Sequence, residues 1–195
     1  MDEAGAAAPS RPGTPRTRRA AALAAARAIA AESGYEDVSM REIAQRSGVS
    51  RATLYRYFSS KDQLLTEVSL DVSASLREDL EARPSRAATA AERVTEVFAR
   101  VLGALAREPK LLAALLRSFF ASDPDVDSLA SEVKRFGGIF VDAGLAGSGV
   151  PNGAEIARVL GPISLAMAIR ISSGHSTLEQ AVEEIRCAVR LLIRV

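Results

Sequence analysis

Arginine, tyrosine and lysine crowd into one short stretch, with Arg51, Tyr55, Arg56, Tyr57 and Lys61 inside eleven positions. That set suits recognition of a polyanion with hydrogen-bonding edges. A guanidinium can bridge O6 and N7 of guanine, which discriminates against a wrong base by about 1–3 kcal/mol, and Arg51 and Arg56 are the candidates. Ser50, Tyr57 and Lys61 suit phosphate oxygens, contacts that set register rather than sequence. Arg41, at the start of the preceding helix, joins the candidate DNA contacts. Catalysis has far less to work with. The chain has one histidine and one cysteine, His175 and Cys187, and its carboxylates form no recognisable catalytic motif. His175 lies in the loop SSGHST, where a surface position is the default. No metal and no cofactor is expected.

The charge distribution agrees with a nucleic-acid partner. Residues 1–61 hold ten Lys/Arg and six Asp/Glu, a surplus of four; residues 62–195 hold fifteen and eighteen, a deficit of three, which leaves the overall +1. An electropositive front on a mildly acidic body is the footprint of phosphate binding. A lone cysteine excludes an intrachain disulfide and fits a reducing cytoplasm. No apolar run reaches the roughly 18 residues that span a bilayer. Thr17-Arg18-Arg19 before an alanine-rich segment is faintly similar to a twin-arginine export signal, but Arg27 and Glu32 interrupt it.

These side chains need a scaffold. Residues 1–15 are rich in small residues, Pro and Gly, and predict a disordered tail, with Arg16, Arg18 and Arg19 closing it as a basic arm. From Thr17 an apolar stripe through Leu23, Ala26, Ile29 and Ala30 predicts a first helix, stopped by Gly34. Ser39-Met40-Arg41-Glu42 is a capping-box pattern that opens a second helix, which ends at Gly48 after barely two turns. Ser50 caps a third helix, 51–58, with Leu54 and Phe58 at i and i+4. Ser60-Lys61-Asp62-Gln63 opens a long fourth helix to about 82. Two short helices joined by Gly48-Val49-Ser50 predict a helix-turn-helix. Ala44, Val49 and Leu54 would fill the junction over a floor of Ile29, Val38 and Ile43. Arg51, Thr53, Tyr55, Arg56 and Tyr57 would face outward, the N-terminal part of the helix entering the major groove. The N-termini of helices two and four suit phosphates as well.

Residues 39–65, SMREIAQRSGVSRATLYRYFSSKDQLL, resemble the TetR family of bacterial regulators, and the likeness reaches back to about Arg16. It implies an all-α fold of about nine helices: a three-helix DNA-binding domain over 16–62 and a ligand-binding and dimerisation domain over 63–195. It implies a homodimer on a double-stranded operator. It also implies that Ser50, Arg51, Ala52, Thr53, Tyr55, Arg56, Tyr57 and Lys61 stand at the family's DNA-contacting positions, and that Leu54 and Phe58 match its core.

Beyond residue 84, apolar periodicity predicts helices over 88–107, 109–122, 126–143, 154–173 and 177–194, with no strand. Leu102, Leu105, Leu112, Leu116, Phe119, Phe120, Phe136, Phe140 and Met167 are candidates to line an apolar ligand pocket, though for any one of them ordinary packed core is the stronger reading. The stripes of the last two helices, with Val159, Ile163, Met167, Val182, Ile185 and Val189, predict a four-helix dimer interface. Gly161-Pro162 inside a helical pattern predicts a kink or a break. The segments REPKLLAALLRSFFASDPDV and ISSGHSTLEQAVEEIRCAVRLLIRV are similar to actinobacterial regulators of cholesterol and steroid catabolism, which implies a lipid-like or acyl-CoA-like effector. The reading is a DNA-binding repressor released by a small, largely apolar ligand. A regulator with no small-molecule effector is the alternative, favoured by a solid core, and a small enzyme is the reading from another class.

Overall fold

In the computed structural model, which describes residues 14–121 and 137–193, every regular element among the described residues is a helix. In order they are α1 (Pro15–Ser33), α2 (Met40–Ser47), α3 (Arg51–Tyr57), α4 (Lys61–Ala82), α5 (Ala90–Ala106) and α6 (Pro109–Phe119). A helix over residues 137–145 is α7, followed by α8 (Gly153–Ser172) and α9 (Leu178–Leu192). The expected Phe136 pocket residue, most of the expected tail and much of the expected 126–143 helix lie outside the described residues.

The helix starts follow the caps. Ser39, Ser50, Ser60 and Thr177 each accept the backbone N–H three residues on, satisfying one of the four donors that a helix start leaves unpaired. Thr177 and Gln180 complete a reciprocal box, as do Thr89 and Glu92 at α5. The first helix begins earlier than expected. Pro15 occupies its first turn and Thr14 caps it, because proline's fixed φ and missing N–H suit that position. Arg16, Arg18 and Arg19 are therefore helical residues and not a loose arm. Gly48 closes α2 at φ +68, ψ 12, a left-handed conformation that a side chain would strain. Helix α8 runs unbroken across Pro162, so of the two expected outcomes, a kink or a break, the break does not occur. The proline still removes one rung, since it has no N–H to offer the Arg158 carbonyl.

Two apolar cores organise the chain. The first joins the alanine-rich face of α1 to Val38, Ile43, Val49, Leu54 and Phe58, then to Leu64, Leu65 and Val68 of α4. The second gathers Val94, Val97, Phe98 and Leu102 of α5 with Phe140, Val141, Ile156, Leu160 and Met167, and with Ala181, Ile185 and Val189 of α9. Helix α6 serves both: Leu111, Ala114 and Leu115 belong to the first core and Leu112 to the second. Polar ties reinforce that seat. Glu108 accepts from Arg27 at 3.1 Å, Lys110 Nζ donates to the Glu32 carbonyl at 2.8 Å, and Arg117 pairs with Glu36 at 2.5 Å.

Candidate nucleic-acid interface and ligand cavity

Helix α3 has seven residues, so its faces follow from the 100° step between successive side chains. Leu54 and the flanking Phe58 are buried at 0% and 1% exposure. They anchor the back of the helix to α1, α2 and α4. Arg51, Ala52, Tyr55 and Arg56 then fall outward and are exposed, Tyr55 at 51%. Arg41, Arg51 and Arg56 are exposed and have no ionic partner among the described residues. Arg56 lies 5.4 Å over the Tyr57 ring. Ser50 accepts the Thr53 N–H at 3.2 Å and donates to the Thr53 hydroxyl at 2.9 Å. Its primary work is thus the cap, and Thr53 is half-buried beside it.

Tyr57 departs from expectation. It sits three residues after Leu54, at the edge of the inner face, and its ring meets Phe58 edge-on at 6.3 Å. Its hydroxyl is buried and has no hydrogen-bond partner among the described residues. A phosphate contact through that hydroxyl is therefore corrected to a packing role. Lys61 is also less free than expected. Its ammonium lies 3.9 Å from the centre of the Tyr35 ring and donates to the Tyr35 carbonyl at 3.2 Å. One of its three donors is committed, and two remain.

Tyr35 is the hub of that corner. Its hydroxyl donates to Asp62 at 2.7 Å, and Arg117 of α6 covers the ring at 4.4 Å. Burial, with the Asp62 hydrogen bond adding to it, pushes the phenol up to about 12. Arg19 lies 5.5 Å over the Phe58 ring and pairs with the buried Glu67. It fastens α1 to α4 and is not available as a mobile arm. Hydrogen bonding from Arg46 holds the Glu32 carboxyl below its ordinary range.

A cavity of about 410 Å³ opens between α4, α5, α6, α7 and α8. Of the expected lining residues, Leu102, Leu105, Leu112, Leu116, Phe119 and Phe140 border it. Phe120 does not: it is 60% exposed at the end of α6, where the helix has stopped and its inward register is lost. Met167 is corrected too. It is packed into the second core and is absent from the cavity wall. The sequence reading missed Ser69, Val72 and Ser73 of α4 and Arg158 of α8, all on the wall. A stripe on a helix tells which face is buried, but not whether that face meets protein or empty space.

The expected dimer face also changes. Ile185 and Val189 are wholly buried within the chain and Met167 nearly so, so none of the three can meet a partner. Val159 is exposed, while Ile163 and Val182 are half-buried. Ile169 and Leu191, which the periodicity had not separated from the core, are exposed as well, Leu191 at 73%. Within each apolar stripe only the outer flank reaches solvent.

With this geometry, the chain belongs to the TetR family of bacterial regulatory proteins. The family's N-terminal profile, "Bacterial regulatory proteins, tetR family", matches residues 22–68, and a tetracycline repressor-like C-terminal domain matches 88–192. The chain is thus a DNA-binding transcriptional regulator. It is similar to the HTH-type transcriptional repressor KstR of Mycolicibacterium smegmatis, 35% identical over 91% of this chain and 88% of the relative. KstR of Mycobacterium tuberculosis is 32% identical over 91% and 81%. Among solved structures, a TetR transcriptional regulator from Rhodococcus sp. RHA1 superposes with a TM-score of 0.80 at 30% identity, covering 92% and 97% of the two chains. The Thermus thermophilus repressor FadR, solved with lauroyl-CoA, shares the fold with a TM-score of 0.72 at 23% identity, over 89% and 92%.

Proposed function

We propose that this chain is a repressor that holds its operator as a homodimer and lets go when a small, largely apolar ligand enters the cavity beneath α6. The observation that carries the DNA half is the outward row Arg51, Tyr55 and Arg56 on a helix whose back is sealed by Leu54 and Phe58. In this reading residues 16–62 form the DNA-reading unit and 63–195 the regulatory body, with α4 shared between them. Arg51 and Arg56 read base edges, while Lys61, Ser50 and the N-terminus of α4 meet phosphates. The exposed flank of Val159, Ile169 and Leu191 is the proposed dimer face, which sets the spacing of two recognition helices.

The ligand half rests on the cavity, which lies in the usual range of about 300–1,000 Å³ for small-molecule sites. A packed interior would have favoured a regulator without an effector. Helix α6 forms the cavity wall with Leu112, Leu115, Leu116 and Phe119, and touches the DNA-reading unit with Leu111, Ala114 and Leu115. A ligand that fits better when α6 is displaced shifts the population toward a dimer with the wrong helix spacing. Arg117, between the wall residues, carries that displacement to Tyr35 and so to Lys61 at the start of α4.

The test is selection of bound fragments from the source genome, followed by retardation of the selected operator. Arg51→Ala with Tyr55→Ala should abolish specific retardation and leave the oligomeric state intact. Full operator binding by that double variant refutes the assignment of α3.

A further inference from the structure

Lys61 and Asp62 open α4 with opposite charges, and one residue outside that helix holds both. Tyr35 follows Gly34, whose φ of +89 turns the chain at the end of α1. The Tyr35 ring is half-buried and packs on the first core. The Lys61 ammonium lies 3.9 Å from the ring centre and donates to the Tyr35 carbonyl at 3.2 Å. The Tyr35 hydroxyl donates to Asp62 at 2.7 Å. Asp62 is the acid in the first turn of α4. A carboxylate there suits the helix dipole but repels an incoming phosphate. From α6, the Arg117 guanidinium lies 4.4 Å from the same ring and pairs with Glu36, the next residue, at 2.5 Å.

We infer that Tyr35 is the positioning residue for the operator phosphate contact of Lys61: its ring and carbonyl hold the ammonium in place, and its hydroxyl keeps the Asp62 carboxylate engaged. This rests on the reading of Lys61 as a phosphate contact. A lysine side chain is rich in rotamers, and fixing it on a phosphate costs that freedom. Contacts that already restrain it in the free protein lower the cost. An aromatic ring suits this work better than a carboxylate. The ring attracts the ammonium without neutralising it and leaves N–H donors free for the phosphate, whereas an ion pair cancels the charge that the phosphate needs. Asp62, next in the chain, is the group placed to form such a pair. Instead it accepts from the Tyr35 hydroxyl, and Lys61 has no ion pair among the described residues. Arg117 and Glu36 fasten this corner to α6, so the readiness of Lys61 depends on where α6 stands.

The experiment is retardation of the selected operator by the full chain over a series of salt concentrations. Lys61→Ala is the reference: it should weaken binding and lower the slope of log affinity against log salt by about one. Tyr35→Leu should lower the slope in the same direction, weaken binding about three- to tenfold, and add no further loss to Lys61→Ala in the double variant. Tyr35→Phe keeps the ring and the carbonyl but releases Asp62. It should weaken binding by a smaller factor, and adding Asp62→Asn should restore it, a rescue that a purely structural role for Tyr35 does not give. This second pair decides the matter if Tyr35→Leu folds poorly. The inference is overturned if the losses of a folded Tyr35→Leu and of Lys61→Ala add, if Tyr35→Phe binds as the wild type does, or if Asp62→Asn leaves the Tyr35→Phe loss in place. In those cases a weakened Lys61→Ala keeps the phosphate reading of Lys61. If Lys61→Ala alters neither affinity nor slope, that reading falls and the inference with it.

Discussion

Leu115 tests the idea that α6 links the two cores. It is 7% exposed, belongs to the first core with Leu111 and Ala114, and also borders the ligand cavity. Leu115→Ala removes most of an aliphatic side chain, and such changes cost about 2–5 kcal/mol in a filled interior. Because one side of Leu115 already faces open space, fewer contacts are lost and the lower part applies, about 2–3 kcal/mol. At about 2–4 °C per kcal/mol for a chain of this size, the melting midpoint should fall by roughly 4–12 °C. Leu116→Ala is the internal control. That residue is half-buried and lines the cavity without entering the first core, so it should cost clearly less. Thermal unfolding followed by helical circular dichroism reads both. Operator retardation with rising ligand reads the link itself: Leu115→Ala should bind operator without ligand yet need several-fold more ligand for release. Equal melting midpoints for the two variants, or unaltered ligand release, would refute the role given to α6.

Tyr35 supplies a pH signature. Its phenol is pushed up from 10.0 to about 12 in the fold, so the folded state favours the protonated form. The associated stability is complete below pH 10 and is lost as pH rises toward 12. Phenolate absorbance should show one of the three tyrosines titrating late, and Tyr35→Phe should remove that late step. At the proposed dimer face, Val159→Glu with Leu191→Glu should give a folded monomer by sedimentation. Ile185→Glu should unfold the chain instead, because that side chain is wholly enclosed.

Much of the DNA-reading half was legible before any coordinates. Caps at Ser39, Ser50 and Ser60, the left-handed Gly48, and the i, i+4 pair Leu54 and Phe58 are local signals, acting within a turn or two of the chain. The inward hydroxyl of Tyr57 was not legible. Its position at the edge of the buried face is a matter of how α3 is rolled against α1 and α4. Nor were the ties of Arg19 to Glu67 and of Arg117 to Glu36, which join residues 48 and 81 positions apart.

The regulatory half divides differently. Periodicity placed α5, α6, α8 and α9 to within a few residues, because burial of one face imposes a 3.6-residue repeat whatever lies opposite. What lies opposite was decided by tertiary packing alone. Ile185 and Leu191 looked alike as apolar residues of one helix, yet one is enclosed and the other meets solvent. Met167 fills the core while Arg158, a charge, borders the cavity. Local propensity determines where a helix starts, stops and turns its apolar side. Only the meeting of several helices determines whether that side closes on protein, leaves a space, or waits for another molecule, since each outcome depends on atoms far away in the chain.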